Sequence, residues 1–472
     1  MSTKNNVPIE VLSSDLYKGL TTPEALISRY YSNYLSNCNY DALISEKYKN
    51  IIDNLNNPHC DYKERNFGKP LYGIPIIVKD NIHVKGFYNT AGTASLNDFS
   101  PFEDAKIVEA IKSLGGIVIG KSNMHELSLG ATSHNFLFGH VKNSSDPSLI
   151  AGGSSGGSAV AVALGYSPLA IGTDTAGSVR IPAALNGIVG FRPSINRYST
   201  HGITPVSPSR DVPGLLARTV KDIKFIDSLL CGLPTEIESK KRPARRIGLL
   251  KELFFTGADN NILSVMEERI EILKYNGFEF IELESLEIQS LNDIVSTVIG
   301  FYEFWPALEN YLKTYVPEID METLVNNISS SYLKELVVNF MSPKSDYRID
   351  DATYMNTINI ERRDLIKRFD SLFADNNLDA IALPTTVAFA TKINANEDSA
   401  LLNNELVSSN YAYLKNTLPA SNAGLPAITI PTSRVKGNLH VGFELNGLPG
   451  RDRELLSLAE EVERVFSNST TP

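Results

Sequence analysis

"AGGSSGGSAVAVALGYSPLAIGTDTAGSVRIPAA", Ala151 to Ala184, sets seven glycines and five serines around short apolar runs. A flexible linker would not alternate with well-formed apolar elements, yet here glycines stand directly before the helix-like "SAVAVALG" and directly after the strand-like "PLAIG". A phosphate cradle fits better, because Gly-rich loops at helix starts offer backbone N–H groups to anions. The run nevertheless lacks both the GK[ST] ending and GxGxxG spacing after a strand. "GGSSG", Gly152 to Gly156, also satisfies GxSxG and would make Ser154 the nucleophile of a strand-turn-helix elbow. That elbow needs a buried strand just before it, whereas "NSSDPSLIA" is rich in turn formers. The histidines that follow Ser154, His201 and His440, have no supporting motif.

Outward from this stretch the chain keeps a βαβ-like alternation. "YGIPIIVKDNI" reads as a short buried strand, Ile74 to Val78, stopped by the charged pair Lys79 and Asp80. "DAKIVEAIKSLGG" puts Ile107, Val108, Ile111 and Leu114 on one helical face with Gly115 as the stop, and "IVIG" follows as a strand. Upstream, Thr22 and Pro23 mark a helix start, with Glu24 beside its positive end. After "LPTEIESKKRPARR" a strand "IGLL" restarts the pattern. A helix-rich stretch then holds the aromatic group Phe301, Tyr302, Phe304 and Trp305, a candidate cover over the site.

A chain of 472 residues with 42% hydrophobic and 21% charged residues is ordinary for a globular enzyme, and its length admits one large domain or two. The formal net charge of −10 argues against a nucleic-acid partner, since phosphate binding needs clustered Lys and Arg. The basic "KKRPARR", Lys240 to Arg246, reads as a solvated hinge. Three cysteines without a CxxC pair fit a reducing, cytoplasmic setting. No signal peptide or membrane-length apolar run is evident, and no HExxH joins the seven histidines, so neither membrane attachment nor a metal is expected. Only the final "SNSTTP" looks disordered.

The two serine loops together resemble the amidase signature family, whose hallmark runs GGSSGGS, an apolar stretch, then GTD[TI][GA]GS[IV]R[IV]PA. Both halves stand here in order, "GGSSGGS" and "GTDTAGSVRIPA". "GIPIIVKDNI", "GGIVIGKSNMHEL", "NGIVGFRPS", "SRDVPGLLARTVKDI" and "NAGLPAITIP" extend the likeness. "GITPVSPSRD", "YEFWPALENYL" and "GFELNGLPGRDRELL" are similar to the indoleacetamide and mandelamide hydrolase branch. The resemblance implies a single large α/β domain, with a mixed central β-sheet covered by helices on both faces. Within it, residues 1–70 would be an N-terminal helical region and 71–232 the signature core. Residues 233–378 would be a helix-rich segment covering the site, and 379–472 the C-terminal part of the same domain.

What the family implies for the site is a Ser-Ser-Lys arrangement: Ser178 as nucleophile, Ser154 as bridging serine within a cis peptide, and Lys79 as base. The backbone N–H groups of Thr175, Ala176, Gly177 and Ser178 correspond to the oxyanion hole, and Ser128 to a position lining the substrate carbonyl. The implied activity is hydrolysis of a small aryl-acetamide-type primary amide to acid and ammonia, with no cofactor and no metal. The partner is then a small-molecule amide, and a homodimer stays open. Two other activities use the same core: a biosynthetic acyl transfer to another amine, and a glutamyl-tRNA amidotransferase A-type subunit.

These residue types suit the chemistry. A serine hydroxyl attacks an amide carbon only if a base takes its proton, and lysine serves only when neutral, which burial at the end of a strand would bring about. Small residues before Ser178 let N–H donors approach the developing oxyanion, although Ala176 stands where glycine is commoner. The neighbouring groups have plainer expected roles. Ser155 and Ser158 read as loop and helix-cap hydroxyls, Asp174 and Arg180 as loop ties, and His125 and Cys231 as packing residues.

Overall fold

Ile76, Ile77 and Val78 give their strand no polar face, so it must be covered on both sides. In the computed structural model, which describes residues 7–235, 245–284, 286–393, 399–434 and 439–469, this strand lies inside an eleven-stranded sheet. The strands are β1 (Leu43–Glu46), β2 (Pro75–Lys79), β3 (Ile117–Ser122), β4 (Leu169–Asp174), β5 (Val189–Arg192), β6 (Val212–Ala217), β7 (Arg245–Leu249), β8 (Phe278–Glu282), β9 (Ala380–Pro384), β10 (Ser399–Leu402), β11 (Glu405–Ser408), β12 (Ala427–Arg434) and β13 (His440–Asn446). The large sheet runs β1-β3-β2-β4-β6-β5-β12-β13-β9-β7-β8, and β10 with β11 forms a separate hairpin. β2 is parallel to β3 and β4, and β7 to β8 and β9, while the other pairings are antiparallel. The expected single α/β domain with a mixed, helix-covered sheet is therefore what the chain adopts.

Local signals place the helices. Thr22 Oγ1 accepts the Ala25 N–H, and Pro23 occupies the first turn of the helix Pro23–Ser36. The helix Lys106–Ser113 buries Ile107, Val108 and Ile111, and the chain turns away at Gly115, whose φ of 93° favours glycine. The helix Gly156–Ala163 packs on β2, β4 and β6, and Asp452–Asn468 packs on β12. Between them the long helix Leu286–Tyr315 buries Phe304, Leu308, Tyr311 and Leu312 in a second apolar cluster with Leu96 and Leu127.

Three expectations need correction. Of the basic run, residues 240–244 lie outside the described residues, but Arg245 and Arg246 are in β7, ion-paired with Glu461 and Glu279, so the strand rather than a solvated hinge holds them. The final helix continues through Asn468, well into "SNSTTP", of which residues 470–472 lie outside the description. Among the described residues of the first seventy, four α-helices stand with the edge strand β1, whose alternation is too short to announce itself. Among the described residues no helix is long and apolar enough to cross a membrane.

The start of the helix Gly156–Ala163 has no room for a larger residue: a Cβ on Gly157 would run into the carbonyl oxygens of Ala42 and Asn123. Both obstacles are backbone and cannot rotate away. Gly157→Ala is expected to destabilise the fold by about 1–3 kcal/mol or more, read as a lowered urea midpoint. An unchanged midpoint would contradict this packing.

Candidate active site

Two lysines end neighbouring strands and both are fully buried: Lys79 on β2 and Lys121 on β3, with Lys121 paired in register to Val78. Their partners differ. Lys121 Nζ lies 3.2 Å from Asp80 Oδ1, and it donates to Asn89 Oδ1 and to the Tyr88 carbonyl. Asp80 is thereby occupied, its other oxygen accepting from the Thr90 N–H and hydroxyl. Lys79 meets no carboxylate within ion-pair reach among the described residues. Its Nζ lies 2.7 Å from Ser154 Oγ and 2.8 Å from Thr173 Oγ1. Burial pushes the Lys79 ammonium down to about 7, against the weaker pull of Asp174 and Asp211, which favour the charge.

The Gly152–Gly157 loop and the β4–helix loop that follows Asp174 are knitted together beside that amine. The Ser155 N–H donates to the Ser178 carbonyl at 3.0 Å, and the Ser155 hydroxyl donates to the Thr173 carbonyl at 3.2 Å. The Gly153–Ser154 peptide is cis, and the Gly156 N–H donates to Ser133 Oγ. Ser154 is fully buried, whereas Ser178 keeps 6% exposure, so of the two hydroxyl residues only Ser178 opens outward.

Asp174 organises the second loop. Its carboxylate accepts the N–H groups of Gly177 and Val179 and two bonds from Arg180, and it meets Arg192 at 3.0 Å. Those two guanidinium groups hold its carboxyl well below the usual carboxylate range despite burial, which acts the other way. Arg180 continues to Glu444 Oε1 at 2.7 Å, to Ser421 and to the Thr417 carbonyl. Asp174 and Arg180 do tie the loops, as expected of them.

Four backbone N–H groups were expected as oxyanion donors, and the loop treats them differently. The Gly177 N–H is bound to Asp174 Oδ1 at 2.9 Å, and the other end of that peptide, the Ala176 carbonyl, accepts the Thr417 hydroxyl at 2.5 Å. This peptide plane is locked at both ends. The N–H groups of Ala176 and Ser178 bond to no described residue, and the Thr175 hydroxyl donates to Asp211 Oδ1. Ser128, at φ 60°, is linked through Asn81, whose side-chain amide donates to Ser128 Oγ at 3.4 Å and to Thr173 Oγ1 at 3.1 Å.

The other readings of the Gly/Ser stretch lose their physical basis. The helix beginning at Gly156 is no phosphate cradle, because its first N–H groups are taken by Ser133 Oγ and the Asn123 carbonyl. Nor is Ser154 partnered by a downstream histidine: His201 pairs with Glu103, and His440 with Ser145. Ser158 is no cap but sits inside the helix, bonded to Ser122 Oγ at 2.6 Å. His125 is a buried ring packed under Gly130. Thr173, Asn81, Thr417 and Asp211 were not singled out from the sequence. Of these, Thr173, Asn81 and Asp211 lie inside quoted motifs and could have been suspected, whereas nothing marks Thr417.

The sequence model of the family described as Amidase matches residues 25–456. The chain belongs to the amidase family. It is a hydrolase acting on amide C–N bonds, and it is 38% identical over 421 residues to the mandelamide hydrolase of Pseudomonas putida, covering 85% of this chain and 80% of that one. The indoleacetamide hydrolase of Pseudomonas savastanoi is 37% identical over 400 residues, covering 84% and 85%. A crystal structure of an amidase superposes with a TM-score of 0.83 at 30% identity, covering 98% of this chain and all of that one.

The depressed Lys79 value has a consequence that needs no catalysis to observe. Between pH 7 and about 10 the unfolded chain holds this proton and the native protein does not, so stability rises with pH in that window on account of Lys79. Lys79→Met is expected to flatten the rise of the urea midpoint from pH 7 to 9. An identical slope in both chains would mean that the native lysine stays charged.

Proposed function

We propose that this amidase hydrolyses a small aryl-acetamide-type primary amide to the acid and ammonia through an acyl-enzyme on Ser178, with Ser154 and Lys79 moving the proton. The observation that carries the reading is the buried, ion-pair-free Lys79 amine 2.7 Å from Ser154 Oγ, in a loop bonded to the Ser178 backbone. Neutral Lys79 takes the Ser154 hydroxyl proton as Ser154 takes that of Ser178, and Ser178 Oγ attacks the carbonyl carbon. The oxyanion lies against the free N–H groups of Ala176 and Ser178. When the tetrahedral adduct collapses, the proton returns through Ser154 to the amide nitrogen, the C–N bond breaks and ammonia leaves. Water then attacks the ester by the same relay and frees the acid and Ser178.

The acyl group's aromatic character is supported by two observations. Both relatives' names denote aryl-substituted acetamides. The partly buried Leu129, Val206, Phe301 and Trp305 pack on the apolar cluster that contains Leu127, next to Ser128 in the chain, and offer apolar surface suited to a ring.

Ser178→Ala is expected to lower turnover by about 10⁴-fold or more with the melting temperature kept, measured as ammonia release from indoleacetamide, phenylacetamide, mandelamide and an aliphatic amide. Near-native ammonia release would reject Ser178 as nucleophile. A preference for the aliphatic amide would reject the aryl reading, and a new amide formed with an added amine in place of acid would move the reading to acyl transfer. The kcat/KM profile is expected to rise with pH through about 7, where Lys79 loses its proton, and then level off. A flat profile from pH 5.5 to 8 would count against a lysine base.

A further inference from the structure

The turn between Val206 and β6, "SPSRD", is fastened at both ends by acids, the half-buried Asp211 and the buried Glu303. Within it the N–H groups of Arg210 and Asp211 both donate to the Ser207 carbonyl at 2.8 Å, closing a tight loop. At one end Asp211 Oδ2 accepts the N–H groups of Val206 and Ser207 at 2.9 Å, which leaves Oδ1 to accept the Thr175 hydroxyl at 2.5 Å. At the other end Glu303, on the helix Leu286–Tyr315 and only 6% exposed, accepts the Ser207 hydroxyl at 2.5 Å, the Ser209 N–H and the Tyr354 hydroxyl. Arg362 donates to the Ser209 carbonyl from a second covering helix.

Thr175 precedes one of the two peptides of its loop whose N–H bonds to no described residue, the other being Gly177–Ser178. The Ala176–Gly177 peptide is locked by Thr417 and Asp174, but the Ala176 N–H belongs to the Thr175–Ala176 peptide, which neither of them touches. The direction of that N–H follows the conformation of Thr175, and the side-chain anchor of Thr175 is Asp211.

We propose that Asp211 is a positioning residue for amide hydrolysis: by holding the Thr175 hydroxyl it aims the Ala176 N–H at the developing oxyanion, and Glu303 braces its turn against the covering helix. The role rests on the acyl-enzyme reading above. It touches no reacting atom, so it affects the transition state, where negative charge forms on the oxygen, more than the bound amide.

The test is a double-mutant cycle on the full chain, with kcat and KM measured for a primary aryl-acetamide. Asp211→Asn is expected to lower kcat about 10- to 100-fold with KM within threefold, because an amide that keeps its oxygen on the Val206 and Ser207 N–H groups turns its NH2 to Thr175, whose hydroxyl can then no longer donate to it. Thr175→Val, which deletes one hydroxyl, is expected to lose a similar factor, and the double variant little more than either. Thr175→Ser is expected to regain rate relative to Thr175→Val. Losses that multiply, a loss confined to KM, or no gain from Thr175→Ser would overturn the role. Should Asp211→Asn fail to fold, the Thr175 pair decides alone, and an unimpaired kcat in Thr175→Val rejects the proposal. A Ser178→Ala chain that still hydrolyses the amide would bring down the acyl-enzyme reading and this role with it. An inactive Ser178→Ala beside an unimpaired Asp211→Asn would bring down the role alone.

Discussion

The amine of Lys79 is placed where water does not reach it and where no carboxylate of the described residues compensates it at close range. Removing an ammonium from water is costly enough that the proton leaves near neutrality unless an acid stands beside it. The structure keeps the nearby acids committed elsewhere. Asp80, the next residue in the chain, is held by Lys121 and Thr90; Asp174 by Arg180, Arg192 and two backbone N–H groups; Asp211 by Thr175 and a turn. Were any of these to swing to within 4 Å of Nζ, the lysine would stay charged and lose its capacity to accept a proton. The pairings of the acids are thus as much a part of the lysine's chemistry as its two hydroxyl neighbours.

The same pairings fix the loops. Asp174 and Glu444 face Arg180 and Arg192, four fully buried groups among which burial pushes the Glu444 carboxyl up to about 7, and each acid–base contact doubles as a tether between chain segments. Removing one member would leave its partner buried without compensation, which costs about 3–5 kcal/mol, so the cluster behaves as a unit. It joins the end of β4 to β5 and β13, and through Thr417 and Ser421 to the helix Leu418–Ala423, so the Ser178 loop is braced across the middle of the sheet.

What could be read from the sequence, and what could not, follows from how far each interaction reaches. The strand before Lys79, the helix stopped at Gly115 and the alternation around the two serine loops depend on neighbours a few residues apart, and each appears as expected. Lys79, Ser154 and Ser178 stand in dense local motifs that mark their places, though not the distances between them. Arg180 was expected to tie loops, but its bond to Glu444 spans 264 residues, and Thr417 reaches Ala176 across 241, with no local pattern to announce either. The Asp80–Lys121 pair was hidden differently. Adjacency in the chain made Asp80 the obvious partner of Lys79, but successive strand residues point to opposite faces, and the register hands Asp80 to the next strand.

The long helix Leu286–Tyr315 is fastened to the core at two points. Glu303 binds the turn that leads to Thr175, while Tyr311, two turns further on and on the same face, meets His83 Nε2 at 2.6 Å just past Lys79 and Asp80. Burial and the nearby Lys121 push the His83 imidazolium down to about 3, so the ring is neutral at physiological pH and the contact with Tyr311 is an uncharged hydrogen bond. Swinging the helix outward would break both anchors, and the bonds to the Glu303 carboxylate alone are of the stronger, charge-assisted kind. Through these bonds the helix holds the loop after Lys79 and the loop before β6 in a fixed relation.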